Sequence, residues 1–191
     1  EAARAVRTNL TFMNPDHPHR LILVTSAAPG EGKTTVACSI AIALAQAGLR
    51  TCIIDCDFRR PRLHRIFGRA GDAGLTNVLV GDATLDEVSA TTVVDNLSCI
   101  PSGPIPPNPG DMLHSEKFKG LLVELARRFD RVVVDSPPLA AVSDSAVIST
   151  VVDGTVFVVR AGKTSRTLAT QGLRALADVD AYLIGSVLNA V

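Results

Sequence analysis

No surplus of charge marks this chain of 191 residues: 19 Lys and Arg stand against 19 Asp and Glu, a formal net charge of +0. Without excess positive charge there is no broad attraction to a polyanion, so a general nucleic-acid binder, or a protein held on anionic lipid by charge alone, is disfavoured. Partners must be recognised by local sites. Cysteine is sparse too. The four, Cys38, Cys52, Cys56 and Cys99, make neither a dense disulfide framework nor the paired CxxC spacing of a zinc site, and with no signal-peptide pattern they point to a reducing compartment, the cytoplasm. Long apolar runs are missing. The longest, Val36 to Ala45, holds ten residues including Ser39, about half of the ~20 that span a bilayer, so this chain is not expected to insert itself. Internal repeats and low-complexity tails are absent. The chain opens at Glu1 rather than Met with a helical pattern already under way, which predicts a piece processed or cut from something longer.

What is present is 47% hydrophobic content with 20% charged residues, the composition of one compact domain, 1–191, able to bury a real core. Apolar runs recur at Leu21 to Val24, Cys52 to Ile54, Val132 to Val134, Val156 to Val159 and Leu183 to Leu188, with a weaker one at Leu97 to Pro101. Helical patterns lie between them, at 2–13, 33–47, 61–67, 74–80, 114–128, 143–151 and 166–178. The runs are nearly continuous rather than alternating, as expected of strands covered on both faces. This predicts an α/β fold, a doubly wound, mostly parallel sheet flanked by helices. The stretch from Pro101 to Gly110, rich in Pro and Gly, is predicted to be neither helix nor central strand. It is either a plain connector or a functional wall.

After the first strand comes Ser26-Ala27-Ala28-Pro29-Gly30-Glu31-Gly32-Lys33-Thr34-Thr35, followed at once by a helical run. This is a phosphate-binding loop of GxxxxGK[ST] type with Ala27 at the first glycine position. Gly30 and Gly32 permit the backbone angles that aim successive N–H groups inward, and the helix beginning near Lys33 adds its positive dipole end. Lys33 would meet the β- and γ-phosphates, while the Thr34 hydroxyl takes a Mg²⁺ position. The dinucleotide pattern GxGxxG fails, since position 35 is Thr. Two carboxylate sites stand at the ends of predicted strands, where a doubly wound sheet gathers ligand groups. One is Asp55-Cys56-Asp57 after Ile53-Ile54. The other is Asp135 after Val132-Val133-Val134, in the pattern of a Walker B magnesium carboxylate. Three strand-end aspartates beside a phosphate loop point to a Mg-nucleotide.

These residues give the chain a close resemblance to the cytoplasmic catalytic domains of bacterial tyrosine kinases, P-loop NTPases related to the MinD/ParA ATPases. The likeness is carried by Ala27 to Thr34, by the Walker A′ pattern Ile53-Ile54-Asp55-Cys56-Asp57-Phe58-Arg59, and by Arg59-Arg60-Pro61 with Leu63. The 103–109 loop, Asp135-Ser136-Pro137-Pro138 and Gly185 through Asn189 add to it. The MinD/ParA signature lysine near the start of the loop is missing. The resemblance implies autophosphorylation of tyrosine by ATP and Mg²⁺ between neighbouring subunits, in control of polysaccharide synthesis or export. It implies nucleotide contacts from Ala28, Pro29, Gly30, Glu31, Gly32, Lys33, Thr34, Thr35 and Asn189. Asp55 is then the base and Asp57 and Asp135, with Thr34, hold Mg²⁺; the residues alone do not order Asp55 and Asp57. Glu1, Arg4 and Arg7 match an ExxRxxR helix, 1–13, that such kinases use to build a homo-oligomeric ring. The implied partners are a neighbour's tyrosine-rich tail and a membrane activator or fused transmembrane segment at the inner face of the cell membrane, with no nucleic acid.

The chain itself has only Tyr182, read as a packed aromatic. That keeps a second function open, a nucleotide-dependent ATPase switch that transfers nothing to tyrosine. Arg59, Arg60, Arg62, Arg65 and Arg69 make the one dense basic cluster, either a solvated face or a receiver of an acidic or phosphotyrosine segment. Cys52 and Cys56 are predicted to be small packing residues, and His17 and His19 exposed linker residues.

Overall fold

The computed structural model describes residues 6–10 and 18–190. Seven strands form one sheet in the order β3-β4-β2-β5-β1-β6-β7. They are β1 (Leu21–Ser26), β2 (Thr51–Asp55), β3 (Ala90–Thr91), β4 (Leu97–Ile100), β5 (Arg131–Asp135), β6 (Gly154–Arg160) and β7 (Leu183–Asn189). Every pairing is parallel except the short edge pair β3–β4. The helices are α1 (Lys33–Ala45), α2 (Leu63–Ile66), α3 (Leu75–Val80), α4 (Leu85–Val88), α5 (Pro109–Leu113), α6 (Glu116–Arg128), α7 (Asp144–Ser149) and α8 (Arg166–Ala177).

The strands are continuous apolar runs because both faces are buried. Leu21 and Leu23 pack on one side with Cys52, Ile54, Val132, Val134 and the α6 residues Phe118, Leu122 and Leu125. Ile22 and Val24 pack on the other with Ile53, Val133, Val156 and the α1 residues Ala37, Ile40, Ala41 and Leu44. Successive side chains alternate between the faces, so each strand feeds two cores. Helix α6 is capped at its start by Ser115, whose hydroxyl accepts from Phe118 N at 3.2 Å, and carries Arg127 and Arg128 in its last turn against the negative dipole end.

Several expectations need correction. Pro109 and Gly110 are helical: they open α5, because a proline in the first turn lacks only an N–H that would have no helical partner anyway. Helix α4 and strand β3 were not foreseen. Helix 2–13 is seen over residues 6–10, and its remainder, with Glu1 and Arg4, lies outside the described residues, as does His17. His19 is not exposed. It is 8% accessible, its ring tilted against Tyr182 at 5.2 Å. Tyr182 is 57% exposed, only one side of its ring resting on His19. The four cysteines are free and buried, and burial pushes the Cys52 and Cys56 thiols well up.

The Pro-rich segment is tied down. Leu75 N donates to Pro101 O at 2.8 Å and Thr76 N to Ser102 O at 2.9 Å, so α3 docks its first turn on the loop after β4. Gly74 makes this close approach possible: a Cβ there would sit 2.2 Å from Pro101 O and 2.3 Å from Gly103 N. Gly74→Ala is therefore expected to cost about 1–3 kcal/mol, roughly 2–12 °C in Tm for a domain of this size, by thermal melting.

Candidate active site

Strands β2, β5 and β1 are neighbours, so the segments leaving their C-terminal ends converge: residues 55–62 from β2, residues 135–142 from β5, and the phosphate loop after Ser26. Asp55 and Asp135 are register partners across β2 and β5, which sets their backbones about 4.8 Å apart. Both are buried, at 0% and 1% exposure.

The phosphate loop has the expected shape. Gly30 and Gly32 have φ of +80° and +89°, and α1 starts at Lys33 with Gly32 in the left-handed region as its cap. The N–H groups from Gly30 to Thr34 find no acceptor among the described residues, the condition of a nest awaiting an anion. Lys33 Nζ lies 3.0 Å from Asp57 Oδ2 and 3.6 Å from Asp135 Oδ1. Pro29, Gly30, Gly32, Lys33, Thr34, Thr35 and Asp57 line a cavity of about 540 Å³. Arg59, Arg60, Arg62 and Ile66 from the segment after β2, and Pro137, Pro138, Ala141 and Val142 from the segment after β5, line it as well.

Other expected contacts are placed differently. Glu31 does not face the cavity: Oε2 accepts from Ala28 N at 2.7 Å and Oε1 from the Thr164 hydroxyl, so it braces the loop from within and occupies the N–H of Ala28. Asn189 donates through Nδ2 to Glu31 O at 2.9 Å and covers Gly32, where a Cβ would come within 2.1 Å of that nitrogen. Arg160 Nη1 adds a bond to Gly30 O at 2.9 Å. Asp55 is also internal. Its Oδ1 accepts from Asp57 N at 3.2 Å and its Oδ2 from Arg62 N and Leu63 N, both at 2.9 Å. The strand ends at Asp55; Cys56 N still donates to Asp135 O at 2.8 Å, the chain turns at Phe58 and Arg59, and Asp57 is the aspartate of this pair that reaches the cavity. Arg7, on the helix seen over residues 6–10, is half-buried and does not line this cavity.

Sequence reading missed the residues that join the loops. Asp144, 3% exposed, receives Arg59 Nε at 3.1 Å and so ties the turn after β2 to the segment after β5. Arg160, Thr164 and Asp144 lie 85 to 133 residues from their partners, and no local spacing announces such pairs.

The electrostatics explain what the site is for. Burial drives the carboxyl of Asp135 up, to about 7; Lys33 pulls it back and Asp55 adds to the rise. Burial likewise raises Asp55, to about 6, against the three backbone bonds it accepts. Burial works against the Lys33 ammonium, yet Asp135 and Asp57 outweigh it and raise its pKa. Neither oxygen of Asp135 completes a hydrogen bond, although the Thr34 hydroxyl lies near enough to hold its pKa down somewhat. Buried, unsatisfied carboxylate oxygens beside a threonine hydroxyl and an open phosphate nest fit a Mg-nucleotide, since Mg²⁺ is commonly held by one or two carboxylates together with phosphates.

Comparison with known proteins agrees with this geometry. The ParA family model, described as NUBPL iron-transfer P-loop NTPase, matches residues 17–191. Tyrosine-protein kinase YwqD of Bacillus subtilis (strain 168) is 37% identical over 189 residues, 99% of this chain and 80% of that protein. The chain belongs to the bacterial tyrosine-protein kinases, within the ParA-type P-loop NTPases. The kinase domain of Escherichia coli tyrosine kinase ETK superposes with a TM-score of 0.95 at 32% identity, covering 100% of this chain and 74% of that one. MinD of Pyrococcus horikoshii OT3, solved with Mg-ADP, shares the fold at TM-score 0.75 and 22% identity, over 88% of this chain and 69% of that one.

Raised carboxyl pKa values reverse the usual acid response. Folded Asp55 and Asp135 hold protons that the unfolded chain, with ordinary aspartates, releases, so their contribution to stability is full below about pH 4 and is lost as pH rises through about 6 to 7. Thermal melts of the unliganded protein are expected to show this gain on acidification from pH 7.5 towards 5. Asp135→Asn should raise Tm at pH 7.5 and flatten the dependence; an unchanged profile would contradict the buried charge.

Proposed function

We propose that the chain is an ATP- and Mg²⁺-dependent protein tyrosine kinase that phosphorylates a tyrosine segment of a neighbouring subunit or another protein, in control of polysaccharide synthesis or export. The single observation that carries it is the convergence of Lys33, Asp57 and Asp135 on an open phosphate nest, in a chain 37% identical to a tyrosine-protein kinase. The polysaccharide role rests on the family resemblance.

In this reading the N–H groups of 30–34 and the Lys33 ammonium receive the β- and γ-phosphates, and Lys33 leaves Asp57 to do so. Thr34, Asp57 and Asp135 would hold Mg²⁺, which would supply positive charge to neutralise the phosphates. Glu31, Asn189 and Arg160 keep the loop in shape. The tyrosine oxygen bonds to the γ-phosphorus, the bond from that phosphorus to the ADP oxygen breaks, and the phenolic proton passes to a carboxylate. Asp55 takes that part because burial raises its proton affinity and a base nearer the working pH is a better acceptor. Its enclosure by the N–H groups of 57, 62 and 63 means the 57–63 turn must open for the acceptor to reach it.

Transfer between chains suits the position of Tyr182. It precedes β7, so it sits at the N-terminal end of the sheet, roughly 23 Å of strand from the phosphate loop. A tyrosine there does not serve its own site. We further propose that helix 1–13, with Glu1, Arg4 and Arg7, builds a ring of subunits. No helix among the described residues is long and apolar enough to cross a membrane, and a separate or fused membrane partner would bring the kinase to the inner face of the membrane. Light scattering of the chain extended upstream reads the ring at micromolar concentration, and a monomer there removes it.

Lys33→Met removes the charge that faces the phosphates. Calorimetry is expected to give at least a tenfold loss of Mg-ATP affinity, and a Lys33→Met subunit carrying an added tyrosine tail should still gain phosphotyrosine when mixed with the parent. Phosphotyrosine confined to the parent's own tail would replace transfer between chains with transfer within one.

Asp55→Asn should abolish transfer while nucleotide stays bound. It should also lower Tm, since the amide NH₂ must face a backbone N–H that the carboxylate accepts, a cost of about 1–3 kcal/mol. Mass spectrometry decides the chemistry. Transfer that survives in folded Asp55→Asn moves the base to Asp57, and a parent that hydrolyses ATP without forming phosphotyrosine on any supplied tail is an ATPase switch.

A further inference from the structure

The cavity is not lined by phosphate-binding groups alone. Ile66, which is 52% exposed, and Pro137, Pro138 and Val142 also line it. Apolar lining of this kind suits an aromatic ring and offers nothing to a phosphate. Arg60 and Arg62 line the same cavity.

The charges there are unbalanced. Lys33, Arg59, Arg60 and Arg62 line the cavity against Asp57 alone, in a chain whose net charge is +0. Lys33 is committed to Asp57 and Asp135, and Arg59 to Asp144. Arg60 and Arg62 are exposed and their side chains have no carboxylate partner among the described residues.

Their main chains are nevertheless fixed to the chemistry. Arg60 N donates to Asp57 Oδ1 at 3.0 Å and Arg62 N to Asp55 Oδ2 at 2.9 Å. Two free guanidinium groups are thus anchored, through backbone bonds that side-chain substitution leaves in place, to the two aspartates of the Walker A′ turn.

Resting on the kinase reading above, we propose that Arg60 and Arg62 are specificity residues that select acceptor tyrosines flanked by acidic side chains. The phenol ring enters between Ile66 and the prolines, and carboxylates on either side of it pair with the two guanidinium groups. Arginine suits this task because its planar fork meets a carboxylate with two parallel hydrogen bonds.

The test uses tyrosine peptides flanked by glutamate, glutamine or lysine, with the parent chain and with Arg60→Ala/Arg62→Ala and Arg60→Glu/Arg62→Glu. The parent is expected to favour the glutamate peptide over the glutamine one in kcat/KM by about two- to thirtyfold, the worth of two exposed charge pairs. That preference should shrink between about 0.01 and 0.15 M salt. The alanine pair should abolish it and the glutamate pair should invert it towards the lysine peptide, with KM for ATP within about twofold of the parent throughout.

Equal use of glutamate and glutamine peptides by the parent would overturn the proposal. So would an alanine pair that raises KM for ATP and leaves peptide preference intact, which would give the arginines to the nucleotide. Fluorescence anisotropy of the same labelled peptides, with Mg²⁺ and a non-hydrolysable ATP analogue, reads the arginines independently of transfer. If no peptide gains phosphotyrosine, the kinase reading fails by itself, and the binding order of the three peptides still decides the role of Arg60 and Arg62.

Discussion

The site turns on one buried ammonium among three carboxylates. Lys33 lies within 3.0 and 3.6 Å of Asp57 and Asp135, and Asp55 is the register partner of Asp135 on the adjacent strand. One positive charge cannot balance three negative ones in a medium stripped of water, so protons are drawn to Asp55 and Asp135 instead. A packed sheet holds these groups where isolated side chains would move apart. The imbalance is local and the remedy is chemical: a divalent cation would supply the positive charge that the carboxylates lack, and a phosphate chain the anion that the open N–H groups lack.

Everything around the cluster keeps it from relaxing. Behind the phosphate loop, Glu31 is caught between Ala28 N and the Thr164 hydroxyl, Asn189 covers Gly32, and Arg160 holds Gly30 O. Before it, the Arg59–Asp144 pair joins the turn after β2 to the segment after β5. Pro137 O accepts from Thr25, Ser136 and Ser145, which pins the first residues beyond Asp135. These bonds tie one segment to another, so binding in the cavity can be felt in the 57–63 turn and the 137–144 segment together. That coupling matches the need to open Asp55 to an acceptor while the phosphate loop stays rigid.

Local signals in the sequence were strong where chemistry needs fixed spacing. Gly30, Gly32, Lys33 and Thr34 had to sit between a strand and a helix to make a phosphate nest, and they do. Thr84 and Glu87 were equally readable as a capping box, Glu87 Oε2 accepting from Thr84 N at 2.7 Å, although helix α4 went unread. Pro109 misled because proline was weighed as a breaker rather than as a first-turn residue. His19 and Tyr182 misled because mutual stacking across 163 positions of chain, as the residue numbers give it, leaves no trace in either neighbourhood.

The sequence by itself determined the fold class, the family and the residues of the phosphate end, because strand runs, glycine positions and strand-end aspartates are set by rules that act over a few residues. Tertiary structure alone decided which aspartate reaches the cavity. The turn at Phe58 and Arg59 follows Asp57, which lines the cavity, and the N–H groups of 57, 62 and 63 fold onto Asp55. It also decided that Glu31 and Asn189 are struts, that Asp144 is the partner of Arg59, and that Arg60 and Arg62 are left without one. The reason is the same in each case: a hydrogen bond or ion pair is fixed by where two side chains end in space, and parallel strands joined by long crossovers bring together residues that no sequence window contains.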